Sequence, residues 1–186
     1  MARSKTIPDD QVLDTLFETL LETGPAGLTF ARAAKSCGLS PATLVQRYGN
    51  RDALVLAILL RAWDQLDTET STADMQEPLT PDGAIALLMR LMPPETAERD
   101  TTDGLLLLRE DIRNPILRER GAAWGHRLAE ILGRRLSDNQ VEGKQLGWQM
   151  ASIWQGAHTW WAFTRDQSAD HAIRTALREW VTRVIK

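Results

Sequence analysis

Hydrophobic residues recur along this chain at steps of three and four positions, and no stretch alternates with the period of two that a β-strand requires. This pattern predicts an all-α fold of about nine helices. The first helix should begin near Pro8, where a missing N–H is harmless, and end at Gly24-Pro25. Its apolar face is formed by Leu13, Leu16, Phe17, Leu20 and Leu21.

Hydroxyl, amide and glycine residues mark the limits of the next three helices. Thr29 is the predicted N-cap of a short second helix that Gly38 ends. Ser40-Pro41 begins the third helix with a hydroxyl cap followed by proline at the first helical position. Asn50 caps the fourth helix. The apolar face of this fourth helix consists of Leu54, Val55, Ile58 and Leu59.

Residues 66–81 are rich in Thr, Ser, Asp and Glu and include Pro78 and Pro81, so the sequence predicts a loop or boundary there. The fold is therefore predicted as a small N-terminal helical bundle, residues 1–62, on a larger helical body, residues 63–186. Further helices are predicted over residues 82–92, 102–113, 116–136, 140–165 and 168–185.

The composition is that of a folded soluble protein, with 43% hydrophobic and 25% charged residues among 186. The net charge of −3 is unevenly spread, because residues 1–62 carry seven basic and six acidic side chains. Between Thr23 and Ala62 there are five basic residues and one acid, Asp52. Such a weakly basic segment could face phosphate, whereas the acidic remainder would repel it.

The single cysteine, Cys37, cannot form an internal disulfide, which is typical of a reducing compartment and predicts a cytoplasmic protein. No basic N-terminal region precedes an apolar run, so secretion is not expected. Residues 145–164 carry no formal charge and are long enough to span a bilayer. Because Gln145, Gln149, Gln155 and His158 lie within them, a buried helix is predicted and no membrane partner.

Two short helices joined by a glycine-containing turn form a helix-turn-helix pattern around Gly38. Ala34 is small where the next helix would cross, and Leu39 and Leu44 would fill the space between the two helices. Spacing alone leaves DNA binding and a structural hairpin equally open. The exposed face of the third helix would present Pro41, Ala42, Thr43, Val45, Gln46 and Arg47, without an acid, as a phosphate-lined groove requires.

Residues 8–59 resemble the DNA-binding domain of the TetR family of transcriptional regulators. The third helix departs from the family pattern, because Val45-Gln46-Arg47-Tyr48 replaces the usual aromatic-His-aromatic-aromatic, Ala42 replaces glycine and Pro41 replaces a common lysine. The bases read should therefore not be inferred from a relative. The matching residues are Leu16-Phe17, Gly24, Leu28-Thr29, Ala34, Gly38-Leu39-Ser40, Thr43-Leu44, Tyr48 and Asn50-Arg51-Asp52-Ala53-Leu54.

The resemblance implies a DNA-binding domain over residues 1–62 and a ligand-binding and dimerisation domain over residues 63–186. Thr29, Thr43 and Arg51 would bind phosphate. Gln46 could pair with adenine, Arg47 with guanine or phosphate, and Val45 with a thymine methyl. As alternatives, Arg47 and Arg51 would be solvated charges, and Tyr48 is interpreted mainly as core. The full predicted DNA-binding set is Thr29, Ser40, Pro41, Ala42, Thr43, Val45, Gln46, Arg47, Tyr48 and Arg51.

The helix predicted over residues 140–165 is apolar on two sides, so it must be covered on both. A second copy of the chain could cover one side, with Gly147, Ala151 and Gly156 permitting close approach; in the TetR family the last two helices form such an interface. A homodimer also matches a palindromic operator. The alternative is one large internal core. The predicted dimer contacts are Trp148, Ser152, Gly156 and Phe163.

A pocket for an apolar or aromatic small-molecule effector is implied by the resemblance. The alternative is plain core, since Trp and Met at helical spacing usually pack. The candidate lining residues combine apolar walls with a few polar points: Trp63, Met89, Met92, Leu106, Trp124, Trp154, His158 and Trp161.

Motifs for enzymatic chemistry are missing from the sequence. No nucleophile motif, phosphate loop or dinucleotide fingerprint occurs, and His126, His158 and His171 lack metal-ligand spacing. No catalytic residue, cofactor or metal is predicted. We expect a ligand-responsive repressor that binds a palindromic operator as a homodimer. Two alternatives stay open: a helical small-molecule or protein-binding module without DNA affinity, and an enzyme that would depend on His158.

Overall fold

The computed structural model describes residues 7–92 and 101–185, and of residues 101–105 the backbone alone. Within this part every regular element is an α-helix, which confirms the predicted all-α fold. Nine helices occur in the described ranges: α1 (Asp9–Gly27), α2 (Phe30–Cys37), α3 (Pro41–Tyr48), α4 (Arg51–Gln76), α5 (Pro81–Leu91), α6 (Thr101–Arg113), α7 (Pro115–Gly133), α8 (Gln140–Thr164) and α9 (Ala169–Val184).

The predicted helix caps are confirmed by their hydrogen bonds. Thr29 Oγ1 accepts a hydrogen bond from the backbone N–H of Arg32 at 3.2 Å, and Ser40 Oγ accepts one from that of Thr43 at 3.1 Å. Gly38 ends α2 in the left-handed region, with φ 68°. Each cap satisfies backbone groups that a helix end would otherwise leave unpaired.

The break predicted at Gly24-Pro25 is present inside α1. Gly24 has φ 65° and ψ 165°, which interrupts the helical geometry, and Pro25 begins one more helical turn that ends at Gly27. Glycine adopts such a positive φ without the steric cost that a side chain would bring. The predicted end of the first helix is therefore a kink followed by a short extension.

The loop predicted over residues 66–81 is wrong for most of its length, because α4 continues to Gln76. The hydroxyl groups of Thr70, Ser71 and Thr72 donate to backbone carbonyls four residues earlier, at 2.6–2.8 Å. The carboxylate of Asp67 pairs with Arg127 on α7 at 3.3 Å. Tertiary partners therefore stabilise a polar helix whose sequence resembles a loop.

The chain divides into two compact units, which are described separately for the residues defined above. The first unit comprises residues 1–65 and 102–120, and the second comprises residues 66–101 and 121–186. The predicted division at residues 62–63 assigns residues 102–120 to the later part of the chain, whereas Leu107 and Leu117 are buried with the N-terminal helices.

In the first unit, α1 packs on α2 and α2 packs on α3 around one apolar core. The predicted inner face of α4 is confirmed, since Leu54, Val55, Ile58 and Leu59 are all buried. In the second unit, α9 packs on α8 and on α5. The largest fully buried side chains of that unit are Leu87, Leu88, Leu128, Leu132 and Met150.

Among the helices described above, none combines the length and apolarity needed to cross a membrane. The uncharged stretch 145–164 lies within α8, where Met150 and Trp154 are buried and Gln145 and Gln149 are exposed. Its mixed surface agrees with the predicted buried helix rather than with a bilayer span.

Candidate nucleic-acid interface

A tight three-residue turn joins α2 to α3. The backbone N–H groups of Gly38 and Leu39 both donate to the carbonyl of Ala34, the latter at 3.1 Å. Ala34 and Leu44 are buried, so the Leu44 side of α3 faces the core. The opposite side of α3 must therefore face outward, as the sequence predicts.

The outward face of α3 is uncharged except at its end. Pro41, Ala42, Val45 and Gln46 are exposed, and Val45 retains 45% of its surface. The hydroxyl of Thr43 is half-buried and lies 2.8 Å from the hydroxyl of Ser40. An amide, methyl groups and hydroxyls are groups that can contact base edges and phosphate oxygens in a major groove.

Arg47 is bound to the beginning of α1 rather than directed into solvent. Its Nη1 donates to Asp9 Oδ1 at 2.9 Å and to the carbonyl of Ile7 at 3.0 Å, and its side chain is only 19% exposed. The hydroxyl of Tyr48 also donates to Asp9, at 3.4 Å. Burial, together with the negative charge of Asp9, raises the pKa of the Tyr48 phenol. Arg47 and Tyr48 thus attach the end of α3 to α1.

Arg51 has a comparable role at the beginning of α4. Its Nε donates to the carbonyl of Leu28 at 3.0 Å, its Nη2 donates to the carbonyl of Pro25, and its Nη1 lies 3.2 Å from Asp52. Arg51 therefore joins the start of α4 to the last turn of α1 and to Leu28 just after it. The phosphate and base contacts inferred for the two arginines stay predictions, since Nη1 of Arg47 and all three guanidinium nitrogens of Arg51 bond within this chain.

The remaining charge on the two short helices is basic. Arg32 and Lys35 are exposed on α2, and neither α2 nor α3 contains an acid. The exposed caps Thr29 and Ser40 stand at the helix N-termini, whose backbone N–H groups favour anions. Sequence reasoning missed Asp9 as the partner of Arg47, because 38 positions separate them and no local pattern joins them.

The eight candidate ligand-binding residues do not converge on one cavity. Trp124 and Trp154 line a small cavity of about 210 Å³ in the second unit, together with Trp148 and Gln155. The other second-unit candidates, Met89, Met92, His158 and Trp161, are not among its lining residues. Trp63 and Leu106 belong to the first unit.

Three of the four candidate tryptophans donate hydrogen bonds, among them Trp124, whose Nε1 donates to the hydroxyl of Thr70 at 3.0 Å. Trp63 Nε1 donates to Asp111 Oδ1 at 3.1 Å, and burial raises the pKa of that carboxyl. Trp161 is buried, donates to the carbonyl of Gln167 at 2.8 Å and stacks with His158 at a centroid distance of 6.1 Å. These contacts suit the alternative of structural packing.

The predicted two-sided apolar character of α8 is present in the structure. Trp154 and Trp161 are buried in the second unit, while Trp148, Ser152 and Phe163 are exposed, Phe163 by 77%. The half-buried Gly156 has open space where a Cβ would lie. The residues described above thus leave one side of α8 uncovered.

Gly147 does not lie on that uncovered side. It is buried, and a Cβ on it would collide with the backbone carbonyl of Ala129 on α7. The prediction that Gly147 permits approach of a second copy is therefore wrong, because this glycine permits close crossing of two helices within one unit.

No group of three His, Cys, Asp or Glu side chains in the described part of the chain could hold a metal ion.

Solved structures with the same fold cover almost the entire chain. A TetR-family transcriptional regulator from Streptomyces coelicolor is 15% identical over 95% of both chains, with a TM-score of 0.72. A TetR transcription regulator from Haloarcula marismortui is 18% identical over 95% of this chain and 97% of that one, with a TM-score of 0.74.

A third structure, the transcriptional regulator FadR from Bacillus subtilis in complex with stearoyl-CoA, is 14% identical over 92% of this chain and 97% of that one, with a TM-score of 0.66. No sequence-family model and no curated protein sequence matches the chain. The chain therefore has the fold of TetR-family transcriptional regulators, and the resemblance predicted for residues 8–59 extends in structure over nearly its whole length.

Proposed function

We propose that this protein is a transcriptional regulator that binds double-stranded DNA through α3. The observation that carries the proposal is the outward, acid-free face of α3 in a helix-turn-helix, within a chain of TetR-regulator fold. The fold alone does not specify a function, so the argument depends on the chemistry of this face.

Three exposed side chains of α3 are the proposed base-reading groups. The amide of Gln46 can pair with adenine in two hydrogen bonds, and Val45 and Ala42 can contact a thymine methyl. The hydroxyls of Thr29 and Ser40, beside the N-termini of α2 and α3, are proposed to contact phosphates. Arg47 then acts mainly by positioning α3.

The proposed functional unit is a homodimer formed through the uncovered side of α8. Trp148 and Phe163 expose apolar surface there, and Gly156 leaves room for a facing side chain. A two-fold dimer presents two copies of α3, which suits a palindromic operator with half-sites about 34–36 Å apart. The protein is proposed to act as a repressor in the cytoplasm.

The regulating signal is proposed to be an apolar or aromatic small molecule bound in the second unit. A FadR regulator of this fold has been solved with stearoyl-CoA, and the second unit of this chain has a cavity between Trp124 and Trp154. An effector that prefers one dimer geometry shifts the population toward it by its difference in affinity. DNA affinity falls if, in that geometry, the distance between the two α3 helices no longer matches the spacing of the half-sites.

The proposal is tested by incubating the protein with random-sequence duplex DNA at low salt and by sequencing the DNA that it binds. We expect enrichment of an inverted repeat, and a clear loss of affinity for it in Gln46→Ala. Gln11→Ala, an exposed glutamine on α1, is the matched control and should bind normally. No enrichment, or equal binding by both variants, would overturn the proposed interface.

The Trp-lined cavity also favours a second candidate, a helical ligand-binding module without DNA affinity. In that case a small molecule quenches tryptophan fluorescence while the DNA selection yields no motif. Retained ligand quenching and an absent motif together would replace the regulator proposal with this one.

A further inference from the structure

A cleft of about 620 Å³ lies within the first unit, apart from the cavity between the tryptophans. It is bounded by the kink of α1, the first turns of α4 and the corner between α6 and α7. A volume of this size is in the range of small-molecule sites. The sequence motifs described above do not account for it, although one of its walls, Leu106, was predicted as a ligand contact.

The floor of the cleft is apolar. Val55, Leu59 and Leu117 contribute buried surface, and Leu56 is half-buried beside them. Leu106 is 44% exposed, so its side chain presents apolar surface that a ligand could cover. Removing such surface from water is favourable for a ligand with a hydrocarbon or aromatic body.

The rim of the cleft has an excess of positive charge. The Nη1 atoms of Arg109 and Arg113 share a single carboxylate oxygen of Glu110, at 2.9 and 3.7 Å. Both arginine side chains are exposed, by 61% and 63%, and each guanidinium has five N–H donors. The single carboxylate of Glu110 therefore balances only one of the two positive charges. It also leaves most of the N–H donors of the two arginines available to a ligand. On the other wall, Arg51 and Asp52 balance each other.

We propose that this cleft binds a small amphiphilic carboxylate. Its carboxylate group lies against Arg109 and Arg113, where charge-assisted and bidentate hydrogen bonds are available, and its apolar body covers Leu106 and the leucines of α4. A neutral molecule of the same shape lacks the guanidinium contacts. A cationic one is repelled.

The cleft adjoins the part of the first unit that positions the helix-turn-helix. Its wall includes Arg51, whose guanidinium donates to the carbonyls of Pro25, in the last turn of α1, and of Leu28, just after α1. The site is therefore distinct from an effector cavity in the second unit. It does not depend on the proposed function, because binding there requires neither DNA nor a dimer.

The test is calorimetric titration of the full-length protein with octanoate, compared with 1-octanol and octylammonium. We expect saturable binding of octanoate alone. Arg109→Gln with Arg113→Gln should weaken it about tenfold or more, since each lost charge-assisted hydrogen bond is costly. The matched control is Arg118→Gln with Lys35→Gln, which removes the same charge from exposed positions of the first unit outside the cleft.

A second variant, Leu56→Trp, fills the floor with a larger apolar side chain and should likewise weaken binding. The proposal is overturned if octanoate does not bind or if 1-octanol binds equally. The proposal is also overturned if both cleft variants retain their affinity for octanoate, or if Trp154→Phe in the second unit removes octanoate binding. Because no DNA is present, failure here is separate from failure of the DNA selection.

Discussion

The buried guanidinium of Arg135 donates a hydrogen bond from Nη1 to the carboxylate of Asp74 at 2.7 Å. Its other donors reach the carbonyls of Ile131, Asp74, Glu77 and Pro78 at 2.9–3.1 Å, which satisfies all five N–H groups. Four of the five bonds thus join the segment after α7 to the last turn of α4 and to the two residues that follow this helix.

Arg135→Met should destabilise the protein by about 3 kcal/mol, because the substitution leaves buried carbonyls without donors and Asp74 without its buried partner. The measurement is urea-induced unfolding followed by circular dichroism. Arg134→Gln is the control, since Arg134 pairs with the same carboxylate but is 57% exposed, and its loss should be much smaller. Equal stability of the two variants would exclude a special role for the buried guanidinium.

The same pair predicts a dependence of stability on pH. Burial alone would raise the pKa of Asp74, but the hydrogen bonds and charges of Arg135 and Arg134 outweigh it and hold the pKa below the ordinary value of 3.8. Because the pKa is lowered by folding, the stabilisation is present above the unfolded value and is lost as pH falls through the folded one.

Asp74→Asn should therefore lower the free energy of unfolding near neutral pH, and the difference from the unmodified protein should shrink below pH 3.8. Unfolding curves for the two proteins across the acid range provide the measurement. A difference that stays constant with pH would mean that the carboxylate charge contributes nothing.

Asp9→Asn should weaken DNA binding, because Asp9 holds Arg47 and through it the end of α3. Removing a negative charge would by itself strengthen binding to phosphate. A loss of DNA affinity in Asp9→Asn therefore indicates loss of the contact with Arg47 rather than a change in net charge. Glu18→Gln, an exposed acid on the same helix, makes the matched charge change. Fluorescence anisotropy with the selected operator measures both.

The effects of Asp9→Asn and Arg47→Ala should also be non-additive, since the two residues act through one contact. The double variant should bind DNA about as weakly as Arg47→Ala alone. Fully additive losses would instead mean that Arg47 contacts DNA independently of Asp9.

Phe163→Glu should convert the proposed dimer to monomers with little change in helix content. Phe163 is 77% exposed in the single chain, so a charge there is solvated in the monomer but would be buried in the proposed interface. Met75→Glu, at a position 80% exposed on α4, is the control. Sedimentation velocity distinguishes monomers from dimers for each variant. A Phe163→Glu variant that remains dimeric would show that the dimer forms through another surface.

Local signals were sufficient to predict the helices of the N-terminal region and the outward face of α3. The caps Thr29 and Ser40 bond to amides three residues ahead, and Gly38 adopts the positive φ that its position in the turn requires. Such interactions join near neighbours, so the sequence displays both partners. The alternation of buried Leu44 with exposed Val45 and Gln46 follows from helical geometry in the same way.

The sequence by itself therefore determined the all-α class, most helix limits and which side of α3 is exposed, because those properties depend on contacts within a few residues. Only the tertiary structure decided that residues 66–76 are helical, that Arg47 binds Asp9 and that Arg109 and Arg113 border a cleft. These features depend on groups distant in sequence, whose meeting is set by how the helices pack rather than by any local pattern.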